Sequence, residues 1–302
     1  MTFEEYQATA FETDQNKNKV GIDNLTIPLL GIVGEAGSLM TEYKKKLRDG
    51  DAHRLFEQHI KEELGDILWY LSNIASKLDF DLEEIAAENL AKLKERWPSE
   101  LDDGKDNYFF DADFPEDEQL PRVFHVCFKD TGSDSNKKVK ISINGVFIGD
   151  PLTDNHGGGD GYRFHDIFHF AYAAVLGWSP IVRRMLKLKR KSKPKTDEIE
   201  DGARAFVTEE AISALVFEHA KNNEFYDGIN GVDYNLLKTI KMLIGGFEVN
   251  DRSLGLWEKA ILEGFNVYRK LLEHDGGNVK VNLQDKTLSF ENEQCTQTLN
   301  KE

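Results

Sequence analysis

Apolar residues recur at helical spacing over most of the chain and alternate in only a few short stretches. The first stripe, Phe3, Tyr6, Ala10 and Phe11, predicts a helix over residues 2–15. After a polar connection, Asp23 or Asn24 can cap a second helix, with Pro28 in its first turn or so, where proline is tolerated. That helix ends near the Arg48-Asp49-Gly50-Asp51 turn. A third runs from about Ala52 to Lys77 and carries the stripe Leu64, Ile67, Leu68 and Leu71. Asp81 caps a fourth, LEEIAAENLAKLKERW, which Pro98 ends. Four helices with short connections and internal stripes predict an antiparallel four-helix bundle over 1–98.

Residues 99–121, SELDDGKDNYFFDADFPEDEQLP, show no stripe and read as an acidic interdomain linker, with Tyr108, Phe109 and Phe110 docking against one of the domains. Beyond it VFHVCF (123–128) and VKISINGVFIGD (139–150) alternate like strands, and Asn144-Gly145 is a two-residue hairpin signal. A matching pair, VKVNL (279–283) and TLSFE (287–291), closes the chain. Residues 161–272 between these pairs read as helices. The predicted class is mainly α: the bundle, then an α+β domain over 122–302 with a small antiparallel sheet.

Composition narrows the class of protein. At 302 residues, 40% hydrophobic and 30% charged, the chain suits two globular domains, and no apolar run approaches the ~18 residues of a membrane span. MTFEEYQATAFETD lacks the basic start of a signal peptide. Cys127 and Cys295 are isolated, without metal-ligand spacing, and read as inert structural thiols in a reducing cytoplasm. The net charge of −16 is uneven: residues 1–100 carry −8, residues 101–120 carry −7, and the rest carry −1. Such a balance disfavours a nucleic-acid partner. Residues 183–195 hold eight basic residues and no acidic one, and are expected as a solvated helix end facing the acidic stretch.

The chemistry concentrates in residues 31–71. Glu35, Ser38 and Glu42 stand at i, i+3 and i+7, sharing a face of the second helix, and Glu63 and Asp66 stand three apart on the third, with Glu62 beside them. Carboxylates bordering a buried stripe are costly unless paired or bound to a cation. Two such helices packed antiparallel would set three or four acidic oxygens around one point, an environment a hard cation such as Mg²⁺ prefers.

At these residues the chain resembles the MazG-type all-α nucleoside triphosphate pyrophosphohydrolases, whose signature is E-x-x-E, a spacer, then E-x-x-D. Glu35 matches the first position, Glu63 and Asp66 match the second pair, and Ser38 stands where the family usually has a glutamate. The resemblance covers residues 1–98. It implies hydrolysis of a nucleoside triphosphate to monophosphate and pyrophosphate with Mg²⁺ or Mn²⁺. It implies Glu35, Glu63 and Asp66 as metal ligands, Glu42 as stand-in fourth ligand, and Ser38 holding a metal water. Glu62, Glu63 and Asp66 are the catalytic candidates, Glu62 as base. The family uses the fourth helix to contact nucleotide, which makes Asn89, Lys92 and Arg96, on one face, nucleotide-binding candidates. Lys44, Lys45 and Lys46 are expected to be mostly solvated. The family further implies a homo-oligomer through the bundle. Because of Ser38, a module that binds or senses nucleotide without hydrolysis is the competing expectation.

The second domain has its own constellation. His165 and His169 are four apart in YRFHDIFHFAYA, with Arg163 and Asp166 adjacent, and Asp201, Glu209 and Glu210 lie beside apolar stripes further on. Two histidines at i, i+4 with Glu209 or Glu210 can chelate a metal, which makes a separate His-based enzyme the third reading. The expectation is instead a buried polar network fixing how two helices pack. This region resembles the C-terminal domain fused to some MazG-type proteins.

Overall fold

Thr2 opens the N-terminal unit, Met1–Lys94, by capping α1 (Phe3–Glu12): its side chain accepts from the Glu5 amide while the Glu5 carboxylate accepts from the Thr2 amide. The computed structural model describes residues 1–17, 21, 23–96, 108–131, 137–152 and 159–291. α2 (Asp23–Asp49) and α3 (Phe56–Lys77) pack along each other, α1 rests on α3, and α4 (Leu82–Arg96) follows. The third helix starts at Phe56, later than the stripe predicts. Gly50 takes a left-handed φ of 58°, a 3-10 turn spans Gly50–Ala52, and His53 leads in from there.

Little of this unit's apolar surface is covered. Among its described residues only Ala10, Ala75 and Leu82 are buried hydrophobics, while Leu29, Leu30, Val33, Met40, Leu47, Leu64 and Leu90 are each more than half exposed.

The second unit, Glu95–Glu302, is built on one antiparallel sheet. Its strands are β1 (Val123–Asp130), β2 (Val139–Ile143), β3 (Val146–Leu152), β4 (Gly276–Asn282) and β5 (Thr287–Glu291), in the order β3-β2-β1-β4-β5. Asn144 and Gly145, at φ 47° and 83°, make the expected tight turn between β2 and β3. β1 joins the two ends of the domain, pairing Val126 with Ile143 on one side and Val279 on the other. Phe124, Val126 and Phe128 turn inward, and Phe170 meets Phe124 and Phe128 edge-to-face at 6.2 and 6.0 Å. Phe170 lies on α5 (Asp166–Leu176), every residue of which is buried, because α10 (Leu254–Glu273) covers the side that the sheet does not. The remaining helices are α6 (Pro180–Leu186), α7 (Pro194–Ile199), α8 (Ala203–Lys221) and α9 (Tyr234–Ile244).

Three sequence expectations change here. From Tyr108 on, the acidic stretch is built into this unit. The Arg252 guanidinium lies 4.5 Å from the Tyr108 ring and 4.2 Å from the Phe110 ring, and the buried Asp111 pairs with Arg183 at 2.6 Å and Arg122 at 2.9 Å. The basic stretch likewise directs charge inward: Arg190 is fully buried between Asp201 at 2.9 Å and Glu248 at 2.7 Å. Each buried guanidinium has carboxylate or carbonyl acceptors, the condition under which burying a charge is tolerated. Cys127 on β1 is disulfide-bonded, correcting the inert-thiol reading; Cys295 lies outside the described residues. No helix of the described residues is long and apolar enough to cross a membrane.

Candidate functional site

The antiparallel register of α2 and α3 builds the site. Lys77 donates to the Asn24 side chain at 2.9 Å near one end of the pair, and His59 meets Glu42 at 2.9 Å near the other. Between them Gly31 faces Tyr70 so closely that a Cβ at Gly31 would sit 2.3 Å from the ring. Each step along α2 is matched by an equal step back along α3. One turn on from Gly31 and Tyr70 stand Glu35 and Asp66, and one turn further Ser38 and Glu63.

Glu35, Glu63 and Asp66 accordingly converge: each offers a carboxylate oxygen, and these atoms lie within 4.8 Å of one another. Glu35 and Glu63 are half-buried and Asp66 is exposed. Among the described residues none of the three is ion-paired with a lysine or arginine. Partial burial, then the adjoining Glu35 carboxyl and the charges of Asp66 and Glu62, raise the Glu63 carboxyl above its ordinary range. A crowded, uncompensated all-oxygen donor set on two rigid helices suits a hard divalent cation.

The remaining candidates are not in this group. Glu42, expected as the fourth ligand, is engaged elsewhere, one turn beyond Ser38. It is 7% exposed, its Oε2 meets His53 Nε2 at 2.8 Å and His59 Nδ1 at 2.9 Å, and Lys45 takes its Oε1. Lys45 foremost, then His59 and His53, hold the Glu42 carboxyl down at about 2. Neither histidine stood out in the sequence, since their spacing to Glu42 crosses the α2–α3 connection. Ser38 is half-buried on the rung opposite Glu63. Glu62 is exposed beside Glu63, and Asn89 and Lys92 are exposed on α4; the Arg96 side chain lies outside the described residues. Lys46 reaches Asp51 at 3.2 Å.

In the second unit the His165, His169, Glu209 and Glu210 candidates do come together, with Asp166 added. His169 Nδ1 meets Glu209 Oε1 at 2.9 Å, and Glu209 also accepts from the Ser179 hydroxyl at 2.6 Å and the Ile181 amide at 2.9 Å. Burial lowers the proton affinity of His169, but Glu209, then Glu210 and Asp166, outweigh it and raise its pKa to about 10.

Residues 28–100 match the family described as MazG nucleotide pyrophosphohydrolase domain, and residues 105–294 match the family described as MazG C-terminal domain. The chain is 39% identical over 77 residues to the Gene 37 protein of Mycobacterium phage L5, a stretch that covers 25% of this chain and 68% of that protein. No solved structure matches it. The acidic group on α2 and α3 falls inside the first match and the sheet and its helices inside the second, so the chain belongs to the MazG family, as a nucleotide pyrophosphohydrolase domain fused to a MazG C-terminal domain.

Proposed function

We propose that the N-terminal unit hydrolyses a nucleoside triphosphate between its α and β phosphorus atoms. A water oxygen bonds to the α phosphorus, the bridging α–β bond breaks, and nucleoside monophosphate and pyrophosphate leave. The observation that carries this reading is the convergence of Glu35, Glu63 and Asp66 across two helices within a MazG nucleotide pyrophosphohydrolase match. These three residues hold Mg²⁺ or Mn²⁺, which supplies charge neutralisation at the triphosphate when bound. Glu62, exposed next to Glu63, takes the proton of the attacking water, and Ser38 orients a water on the same rung. Asn89, Lys92 and Arg96 on α4 contact base, sugar or phosphate. The exposed leucines, valine and methionine of α2, α3 and α4 support a homo-oligomer through this unit.

Incubation with a panel of normal and modified nucleoside triphosphates plus Mg²⁺ or Mn²⁺, resolved by chromatography, tests the reading. Monophosphate and pyrophosphate are expected; orthophosphate release, or no turnover across the panel, overturns it. A second reading, nucleotide binding without hydrolysis, is favoured by Ser38, which leaves the acidic group one carboxylate short opposite Glu63. Under it the same panel gives saturable binding and no product.

A further inference from the structure

The N-cap residue and first turn of α5 set two buried imidazoles, His165 and His169, toward one point. His165 Nδ1 lies 2.9 Å from the Tyr162 carbonyl oxygen, and His169 Nδ1 lies 2.9 Å from Glu209 Oε1. A carbonyl and a carboxylate only accept, so each Nδ1 carries a proton and each Nε2 is directed away from these partners. His165 Nε2 then stands 3.5 Å from Asp166 Oδ1, and His169 Nε2 stands 3.8 Å from the same oxygen. One ligand atom from each of the three residues lies within 4.8 Å of the others.

The expected polar network and a ligand set therefore occupy opposite sides of the same ring. Glu209, once a candidate ligand, is satisfied by His169 Nδ1, Ser179 and Ile181, which is how a carboxylate fixes the tautomer and orientation of a metal-binding histidine. His169 Nε2 is fully buried and makes no hydrogen bond, and it faces Glu210 Oε2 at 3.5 Å and Asp166 Oδ1 at 3.8 Å, so two carboxylates converge on the same ring nitrogen. The separations of 3.5 and 3.8 Å are close to those between ligand atoms that each sit ~2.0–2.2 Å from one ion.

We propose that His165, Asp166, His169 and Glu210 form a second metal centre, for a first-row transition dication such as Zn²⁺. Two imidazole nitrogens with carboxylate oxygens select such an ion over Mg²⁺, whose preference is for oxygen alone. Glu210 supplies the fourth donor, with Oε2 at 3.5 Å from His169 Nε2. It also supplies the entry path that a buried site needs. Its side chain is half-exposed and lines a cavity of about 1030 Å³ walled by Ile143, Phe147, Met185 and Phe206, with Arg184 and Lys187 among the lining residues. The proposal stands apart from the pyrophosphohydrolase reading, which uses none of these residues.

The test uses the full chain in an Asp66→Asn/His59→Gln background, which removes one member each from Glu35, Glu63 and Asp66 and from Glu42, His53 and His59, the two groups of the N-terminal unit whose ligand atoms lie within 4.8 Å of one another. After chelation and dialysis, this protein is titrated with Co²⁺ as a spectroscopic probe and then with Zn²⁺. One ion per chain is expected, with visible d–d bands that Zn²⁺ displaces, and a loss of ~10–100-fold in affinity for His165→Gln in the same background. Sub-stoichiometric uptake, or an unchanged affinity in His165→Gln, overturns the proposal. If His165→Gln does not fold by circular dichroism, X-ray absorption of the Co²⁺-loaded background protein decides. Imidazole scattering in the metal's coordination sphere supports the site, and an oxygen-only sphere refutes it.

Discussion

Glu42 Oε2 lies 2.8 Å from His53 Nε2, so the carboxylate seven residues beyond Glu35 is committed to the α2–α3 connection and not to the acidic group. His53 sits in the turn that delays α3, and His59 sits on the first turns of that helix. Together with Lys45 they bracket Glu42 from three sides. The relationship locks one end of the helix pair whose middle carries Glu35, Glu63 and Asp66.

Replacing Glu42 should therefore damage stability before catalysis. In Glu42→Gln the melting temperature falls at neutral pH while triphosphate turnover changes less than tenfold. The carboxyl is held at about 2 in the folded protein against an ordinary 4.5. A depressed folded value stabilises the protein above the unfolded value, and that contribution is lost as pH falls from 4.5 toward 2. Melting curves across pH should show the gap between wild type and Glu42→Gln closing over that window. A turnover loss matching that of Asp66→Asn would return Glu42 to the ligand set.

Asp66→Asn and Glu63→Gln should each lower kcat/KM by ~10–100-fold and raise the Mg²⁺ needed for half-maximal rate. The raised Glu63 carboxyl gives a second sign. Its stabilising contribution is present below the ordinary carboxylate value and lost as pH rises through the folded value, so metal-free wild type weakens with rising pH and Glu63→Gln does not. Ser38→Glu, on the rung facing Glu63, should reduce the half-saturating Mg²⁺. Activity titrated against Mg²⁺ reads all three variants, and an unmoved Ser38→Glu curve would mean that three carboxylates suffice.

Gly31 sets the distance between the helices one turn before Glu35. A side chain there meets the Tyr70 ring, and spreading α2 from α3 displaces Glu35 from its partners across the groove. Misplacing catalytic groups by about 1 Å can cost on the order of 100-fold. Gly31→Val should lose at least tenfold in kcat/KM, and adding Tyr70→Ala should restore part of it. No recovery in the double variant would place the damage elsewhere.

The exposed apolar surface of the N-terminal unit should be covered in solution by a second copy. Light scattering at micromolar concentration is expected to give at least a dimer, and Leu30→Glu/Val33→Glu should shift it toward monomer. A monomeric wild type would reject self-association through this surface.

Much of the molecule was legible in the linear pattern because short-range physics governs it. The four N-terminal helices follow from the 3.6-residue stripes and their caps, and the β2–β3 turn follows from Asn144-Gly145, since few residue pairs tolerate positive φ in succession. The Glu63/Asp66 spacing on one helix face was equally visible, because i and i+3 are neighbours on any α-helix. Where charges at distant positions had to find each other, the pattern misled. Residues 108–121 and 183–195 look like solvated acidic and basic stretches, yet Asp111 meets Arg183 across 72 positions in a buried pair.

The sequence by itself determined which residues share a helix face, and so that Glu35, Ser38 and Glu42 form one row and Glu63 and Asp66 another. Only the tertiary structure decided which members of those rows meet. That choice rests on the antiparallel register, set by Lys77 on Asn24 and by Tyr70 over Gly31, which carries Asp66 to Glu35 and His59 to Glu42. The same holds for α5, where a spacing of four placed His165 and His169 on one side. It took the Tyr162 carbonyl and the α8 residue Glu209 to hold both Nδ1 atoms and leave both Nε2 atoms directed toward Asp166. The α2–α3 register and the orientation of the His169 ring depend on partners about 40 positions away along the chain, and no local period encodes them.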